Sequence, residues 1–148
     1  MRSPYRRRRV ELPPRYRSFK PAGVPRRALE RVHLTVDEYE AVRLADHEGY
    51  EHLAASQRMR ISRSTFTRLI AAARGKVAEA LIDGKELLVE GGNVDFIQTL
   101  HLCRECGETR RRPARKRMER CPDCGSPNVE DLAHESERGS VRREGRQP

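Results

Sequence analysis

The stretch RMRISRSTFTRLIAAAR, from Arg58 to Arg74, combines an apolar skeleton with short hydroxyl side chains between arginines. The apolar side chains are Met59, Ile61, Phe66, Leu69 and Ile70. A helix–turn–helix needs apolar residues before, inside and after its turn, and a small residue such as Ala55 where the two helices cross. The stretch therefore predicts two helices that meet at a tight turn.

The helix that starts after Ser62 has two different faces. At 100° per residue, an apolar stripe falls within about 60° of Phe66 and faces the core. The other side presents arginines, which bind guanine or phosphate, and hydroxyls, which bind either. No Glu or Lys occurs from Arg60 through Gly75. We predict DNA contacts from Arg63, Ser64, Thr67, Arg68 and Arg74; a plain three-helix domain with a solvated polar face is the alternative.

Local signals mark the other elements. Thr35 and Glu38 form a capping box that starts a first helix, which Gly49 ends. The second helix is expected over Glu51 to Met59, and the third from Ser62 to Ile82, where Asp83 and Gly84 stop it. The segments KELLVEGG and VDFIQTLHLC read as strands, the latter leading to Cys103.

Four cysteines come as two C-x2-C pairs with fourteen residues between them: Cys103, Cys106, Cys121 and Cys124. Each pair is followed by a glycine, which lets the chain turn so that both sulfurs reach one ion. We predict a structural Zn2+ site that four thiolates close, which leaves no position for catalysis; an iron–sulfur centre and redox or disulfide use remain alternatives. Seven basic residues between the pairs predict a positively charged finger.

Composition limits the classes of function. The 148 residues are 36% charged with a net charge of +9, and the positive charge lies mainly in residues 1–20, 50–82 and 103–132. Clustered arginines suit a polyanion, since each one that neutralises a phosphate releases counterions; a GC-rich genome would explain the arginines but not the clustering. No run of apolar residues approaches the length of a membrane span, so we expect a cytoplasmic protein. The sequence has no paired carboxylates in an apolar setting, no Ser/His/Asp set and no phosphate loop, so we expect no enzyme.

The segments FKPAGVP, LTVDEYEAVRLADHEGY, SRSTFTRLIAAARGKVAEAL and GKELLVEGG together resemble domain of unknown function 134, a family of predicted prokaryotic DNA-binding proteins. The resemblance covers roughly residues 6–92 and implies a helix–turn–helix like that of sigma-factor region four. Two positions depart from the family pattern. Arg60 stands where the turn usually has Gly, and Gly75 stands where the third helix is usually basic.

The expected fold is mainly α: a three-helix helix–turn–helix domain with a small β zinc ribbon appended. The expected domains are a basic, proline-containing, extended arm (1–32), the DNA-binding domain (33–92), the ribbon (93–132) and a disordered tail (133–148). The expected function is sequence-specific binding of double-stranded DNA, in a transcriptional regulator. An RNA-binding or RNA polymerase-associated zinc-ribbon module is the alternative, and a homodimer is left open.

Overall fold

The computed structural model describes residues 7–134. Of these residues, 37% are helical and 23% lie in strands of three sheets. The fold is therefore mixed α/β, and the prediction of a mainly α protein is wrong. The sequence hides several strands because they are two to four residues long and pair with partners far along the chain, so no local alternation marks them.

Three α-helices form the centre of the fold: α1 Val36–Val42, α2 His52–Met59 and α3 Arg63–Asp83. A π-helical turn, Arg43–His47, follows α1. The capping box is confirmed, because Thr35 accepts a hydrogen bond from the Glu38 amide while Glu38 accepts one from the Thr35 amide. Ser62 caps α3 as predicted, and Gly84 ends it in a left-handed conformation with φ of 65°.

The connection between α2 and α3 is a Schellman turn. Arg60 adopts the left-handed conformation, with φ of 55° and ψ of 44°. Its amide bonds to the Gln57 carbonyl at 3.2 Å, and the Ile61 amide bonds to the Ser56 carbonyl at 3.0 Å. This conformation costs a residue other than glycine about 1–2 kcal/mol. Arg60, which stands where the family usually has Gly, therefore keeps the turn but lowers the stability of the fold.

A hydrophobic core joins the three helices. Phe66 and Ala55 are fully buried where α3 crosses α2, and Ile70 packs in the same cluster. Ser56 is only 1% exposed, so the crossing takes place over two small residues. A second cluster packs the middle of α3, through Ala73, against the sheets; its other members are Val10, Leu34, Val36, Val89 and Val94. The core thus holds α3 from Phe66 to Ala73.

In the described part of the chain, eight strands make three small sheets. The strands are β1 Arg8–Val10, β2 Ser18–Phe19, β3 Arg31–Leu34, β4 Glu86–Val89, β5 Val94–Phe96, β6 Gln98–Cys103, β7 Thr109–Pro113 and β8 Val129–Asp131. The first sheet pairs β1 with β5 in parallel. The second has the order β2-β4-β3, with β4 antiparallel to β2 and parallel to β3. The third is antiparallel, with β6 between β7 and β8.

Within the expected arm, residues 8–10 and 18–19 form β1 and β2, and a 3-10 turn forms at Arg26–Ala28. The buried carboxylate of Glu86 on β4 explains why this N-terminal segment is structured. Its oxygens accept a hydrogen bond from Ser18 at 2.7 Å and pair with Arg26 at 2.8 Å and Arg31 at 3.0 Å. A buried carboxylate needs such partners, and Glu86 thereby ties this segment to the sheet.

The C-terminal sheet carries the cysteines. Cys103 is the last residue of β6, and the segment between β7 and β8 holds Cys121 and Cys124. The domain boundaries stay predictions. The predicted disordered tail lies outside the described residues, apart from residues 133 and 134.

Candidate nucleic-acid interface and cysteine cluster

The first two turns of α3 expose four of the predicted contact residues on one side. We call this surface the α3 basic face: Arg63, Ser64, Thr67 and Arg68, all exposed. The buried side chains of Phe66, Leu69 and Ile70 hold the other side of the same turns in the core. The rotation of α3 is therefore fixed by packing, and the α3 basic face points away from the protein.

Hydrogen bonds hold the hydroxyl groups around this face. Ser62 Oγ lies 3.2 Å from Ser64 Oγ and 2.7 Å from Thr65 Oγ1. Thr67 Oγ1 shares a hydrogen bond of 3.0 Å with Nδ1 of His52, and the His52 ring packs edge-on against Phe66. His52 was missed by sequence reasoning, because a helical projection of α3 contains no residue of α2. The first turn of α2 thus lies beside the α3 basic face.

Arg74 lies on the next turns of α3, in an ion pair with Asp46. Its Nε donates to Asp46 Oδ2 at 3.1 Å and its terminal nitrogen to Oδ1 at 2.6 Å. These hydrogen bonds lower the pKa of Asp46 below its ordinary value of 3.8. Both side chains are about half exposed, and exposed ion pairs contribute only about 0–1 kcal/mol to stability. The structure therefore places Arg74 in an ion pair with Asp46, two turns after Thr67 on α3.

The four predicted metal ligands are brought together. Their sulfur atoms all lie within 4.8 Å of one another, with Cys103 Sγ 3.6 Å from Cys124 Sγ and Cys106 Sγ 3.7 Å from Cys121 Sγ. Four sulfurs at about 2.3 Å from a central zinc ion lie roughly 3.8 Å apart at the corners of a tetrahedron. The cluster is compatible with a bound metal ion of this size.

Each cysteine pair forms the same turn. The amide of Gly107 donates to the Cys103 carbonyl at 2.9 Å, and the amide of Gly125 donates to the Cys121 carbonyl at 2.8 Å. Both glycines have positive φ, 77° and 75°. The amide of Cys106 donates to the Cys103 sulfur and lowers the pKa of that thiol to about 7. The first turn therefore favours the thiolate at Cys103. At Cys106 the Glu108 amide acts in the same direction, but desolvation and the neighbouring cysteine side chains outweigh it and raise the pKa of that thiol to about 12.

The basic segment between the cysteine pairs is exposed on and after β7. Arg110 turns back toward the second pair, where it bonds to Asp123 at 2.5 Å and 3.3 Å. The remaining basic side chains are exposed, and they are Arg111, Arg112, Arg115, Lys116, Arg117 and Arg120. Together they give this end of the protein a second positively charged surface.

Within residues 7–134, the helices are all too short or too polar to cross a lipid bilayer.

The family described as "Protein of unknown function DUF134" matches residues 1–97. The chain is 50% identical to a UPF0251 protein of Chloroherpeton thalassium, over 89% of this chain and 87% of that protein. A UPF0251 protein of Moorella thermoacetica is 46% identical, over 94% and 91% of the two chains. No solved structure matches the chain.

Proposed function

Because the chain belongs to the DUF134 family of proteins of unknown function, we propose its function from its own residues: it is a sequence-specific DNA-binding protein that regulates transcription. In this proposal the N-terminal half of α3 enters the major groove of double-stranded DNA. The groove is about 12 Å wide and admits an α-helix.

The arrangement of α2 and α3 supports a helix–turn–helix of the kind found in sigma-factor region four. A short turn joins the helices, and small buried residues, Ala55 and Ser56, allow the close crossing. In this motif the second helix reads base edges while the first contacts the backbone. In this proposal the α3 basic face would read base edges, and His52, which contacts Thr67 from the first turn of α2, would lie near the DNA backbone.

The absence of acidic residues on the exposed side of α3 from Arg63 to Gly75 is the observation that carries the proposal. Solvated helix faces ordinarily contain Glu and Lys, whereas a surface that meets phosphates excludes carboxylates. Arg68 and Arg63 would hydrogen-bond guanine or phosphate, and Ser64 and Thr67 would bind either. Arg74 would exchange Asp46 for a phosphate of the backbone.

The cysteine cluster has a supporting role in this proposal. Cys103, Cys106, Cys121 and Cys124 would hold a structural Zn2+, because four thiolates with this spacing complete a tetrahedral shell. Bound zinc would stabilise the C-terminal sheet, which has few buried apolar side chains of its own. The sheet would then present its exposed arginines to the phosphate backbone.

Selection of bound fragments from random duplex DNA, followed by two substitutions, tests the proposal. Arg68→Ala should weaken binding to the selected duplex by about 1–3 kcal/mol and relax the base preference at one position. Arg111→Ala, the matched control on β7, should weaken binding to selected and random duplexes equally and reduce the salt dependence by about one phosphate contact. Equal losses on both duplexes for both variants, or no enrichment during selection, would contradict the proposal.

A second candidate function rests on the exposed arginines of β7. These side chains would equally suit a module that binds RNA or RNA polymerase through the C-terminal sheet. Binding of structured RNA or purified polymerase that is lost in Arg111→Ala, but kept in Arg68→Ala, would favour this function. Selection of a duplex sequence would favour the first.

A further inference from the structure

A hydrogen bond between His52 and Thr67 joins the two helices that are proposed to bind DNA. His52 Nδ1 lies 3.0 Å from Thr67 Oγ1. The His52 ring also packs edge-on against the fully buried Phe66, with the ring centroids 5.4 Å apart and an angle of 65° between the ring planes. Two contacts therefore hold the His52 ring in place beside Thr67, whose own side chain is exposed.

We propose that His52 is a specificity-determining positioning residue, which holds the Thr67 hydroxyl as a hydrogen-bond acceptor and so makes Thr67 select adenine or cytosine on the DNA strand that it contacts. This assignment rests on the proposed binding of DNA by α3. A threonine hydroxyl without a partner rotates freely, and it both donates and accepts. The bond to His52 narrows Thr67 to one of these two roles.

The ring nitrogen remote from Thr67 decides the direction of this hydrogen bond. Among residues 7–134, the bond to Thr67 is the one hydrogen bond that the His52 ring forms, which leaves Nε2 for a partner in the DNA. Phosphate oxygens only accept hydrogen bonds, so Nε2 must carry a proton when it meets the DNA backbone. A neutral imidazole has one donor and one acceptor nitrogen. Nδ1 is then the acceptor, and the Thr67 hydroxyl donates to it.

With its proton engaged by His52, Thr67 offers the DNA only the lone pairs of its oxygen. In the major groove, the base groups that donate are the amino groups of adenine and cytosine. Guanine and thymine present oxygen acceptors instead, and an acceptor that faces Thr67 would leave both oxygens without a proton between them. One neutral hydrogen bond corresponds to a preference of about three- to ten-fold for adenine or cytosine at this position.

Ser64, one turn earlier on α3, is not restricted in this way. Its hydroxyl lies 3.2 Å from the Ser62 hydroxyl, and either oxygen can be the donor of that hydrogen bond. A pair of hydroxyls can reverse its direction when the base changes, so Ser64 can meet donors and acceptors alike. The His52 ring cannot reverse while Nε2 keeps its proton for the phosphate. The restriction is therefore specific to Thr67.

Selection of bound fragments from random duplex DNA, with the wild type and two variants, tests the assignment. Thr67→Val keeps the shape of the side chain without its hydroxyl, so the position at which it loses the preference is the one that Thr67 contacts. His52→Phe keeps an aromatic ring against Phe66 but removes both ring nitrogens. It should reduce the preference for adenine or cytosine at that position to below about two-fold, and leave the preference that depends on Arg68 unchanged.

Two further measurements separate this role from a purely structural one. Adding His52→Phe to Thr67→Val should change the base preference no further, because both residues act through one hydrogen bond. Nitrogen NMR of the His52 ring in the DNA complex should show a proton on Nε2 and none on Nδ1. Leu53→Ala is the matched control on α2, since Leu53 is 54% exposed and its side chain has no hydrogen-bonding group, and it should keep the wild-type preference.

An unchanged preference in His52→Phe would overturn the role of His52, as would enrichment of guanine or thymine at the Thr67 position by the wild type. A proton on Nδ1 in the complex would also overturn it. In each of these cases the wild type still selects a sequence, so the proposed DNA binding stands. If the wild type enriches no sequence at all, the proposed function fails, and the role of His52 fails with it.

Discussion

Replacing Arg60 by glycine should stabilise the protein, although it removes a side chain. Arg60 has φ of 55° and ψ of 44°, and relief of the left-handed conformation is worth about 1–2 kcal/mol. Glycine gains more freedom in the unfolded chain, which offsets about 0.5–1 kcal/mol of this. The expected net gain for Arg60→Gly is about 0.5–1 kcal/mol, because both hydrogen bonds of the Schellman turn use backbone atoms and remain.

Urea and thermal unfolding, at equal metal content, measure this gain. A gain of this size should raise Tm by about 2–5 °C. Gly84→Ala is the matched control at the end of α3. Gly84 has φ of 65°, and an added Cβ would meet nothing within 4 Å, so the substitution tests the backbone alone and should cost about 1 kcal/mol. If Gly84→Ala destabilises while Arg60→Gly does not stabilise, the assignment of strain to Arg60 is refuted.

Further predictions concern Asp46, its titration and the cysteines. Asp46→Ala should strengthen binding to all duplexes several-fold, because it frees Arg74 and removes an acid beside α3. Arg74→Ala should weaken the same binding. An unchanged duplex affinity in both variants would exclude Arg74 from the interface. Because Arg74 lowers the pKa of Asp46, this ion pair contributes to stability above pH 3.8, the ordinary pKa of an Asp carboxyl. The contribution is lost as the pH falls through the lowered pKa of the folded state. If NMR shows the Asp46 carboxyl titrating at its ordinary pKa, the ion pair is contradicted. If the four cysteines hold Zn2+ as proposed, a chelator should broaden the amide signals of β6, β7 and β8 while those of α3 persist. Loss of both sets of signals together would show one cooperative unit, and no change in either set would contradict the proposed metal site.

The helices could be predicted because their signals are local. The Thr35 capping box, the Ser62 cap and the Gly84 stop each lie within four residues of the helix end that they determine. Close spacing also indicated the cysteine cluster, since C-x2-C brings two sulfurs together within one turn. These features depend on neighbours in the sequence, and the structure confirms their positions.

Features that depend on long-range contacts could not be predicted. Strand β1 is Arg-Arg-Val, and it forms only because β5, 86 residues later in register, supplies its partner. The N-terminal segment is held to the sheet by the buried Glu86, which pairs with Arg26 and Arg31. Nothing in the sequence distinguishes Glu86 from the other acidic residues. The same reason hid the contact of His52 with Thr67 and that of Arg74 with Asp46.

NMR titration of the full chain with a selected duplex tests most directly whether the α3 basic face meets DNA. The proposal predicts that the largest amide shifts fall on Arg63, Ser64, Thr67 and Arg68, with smaller shifts on β7. Shifts confined to residues 98–132, with the first turns of α3 unchanged at saturation, would contradict it.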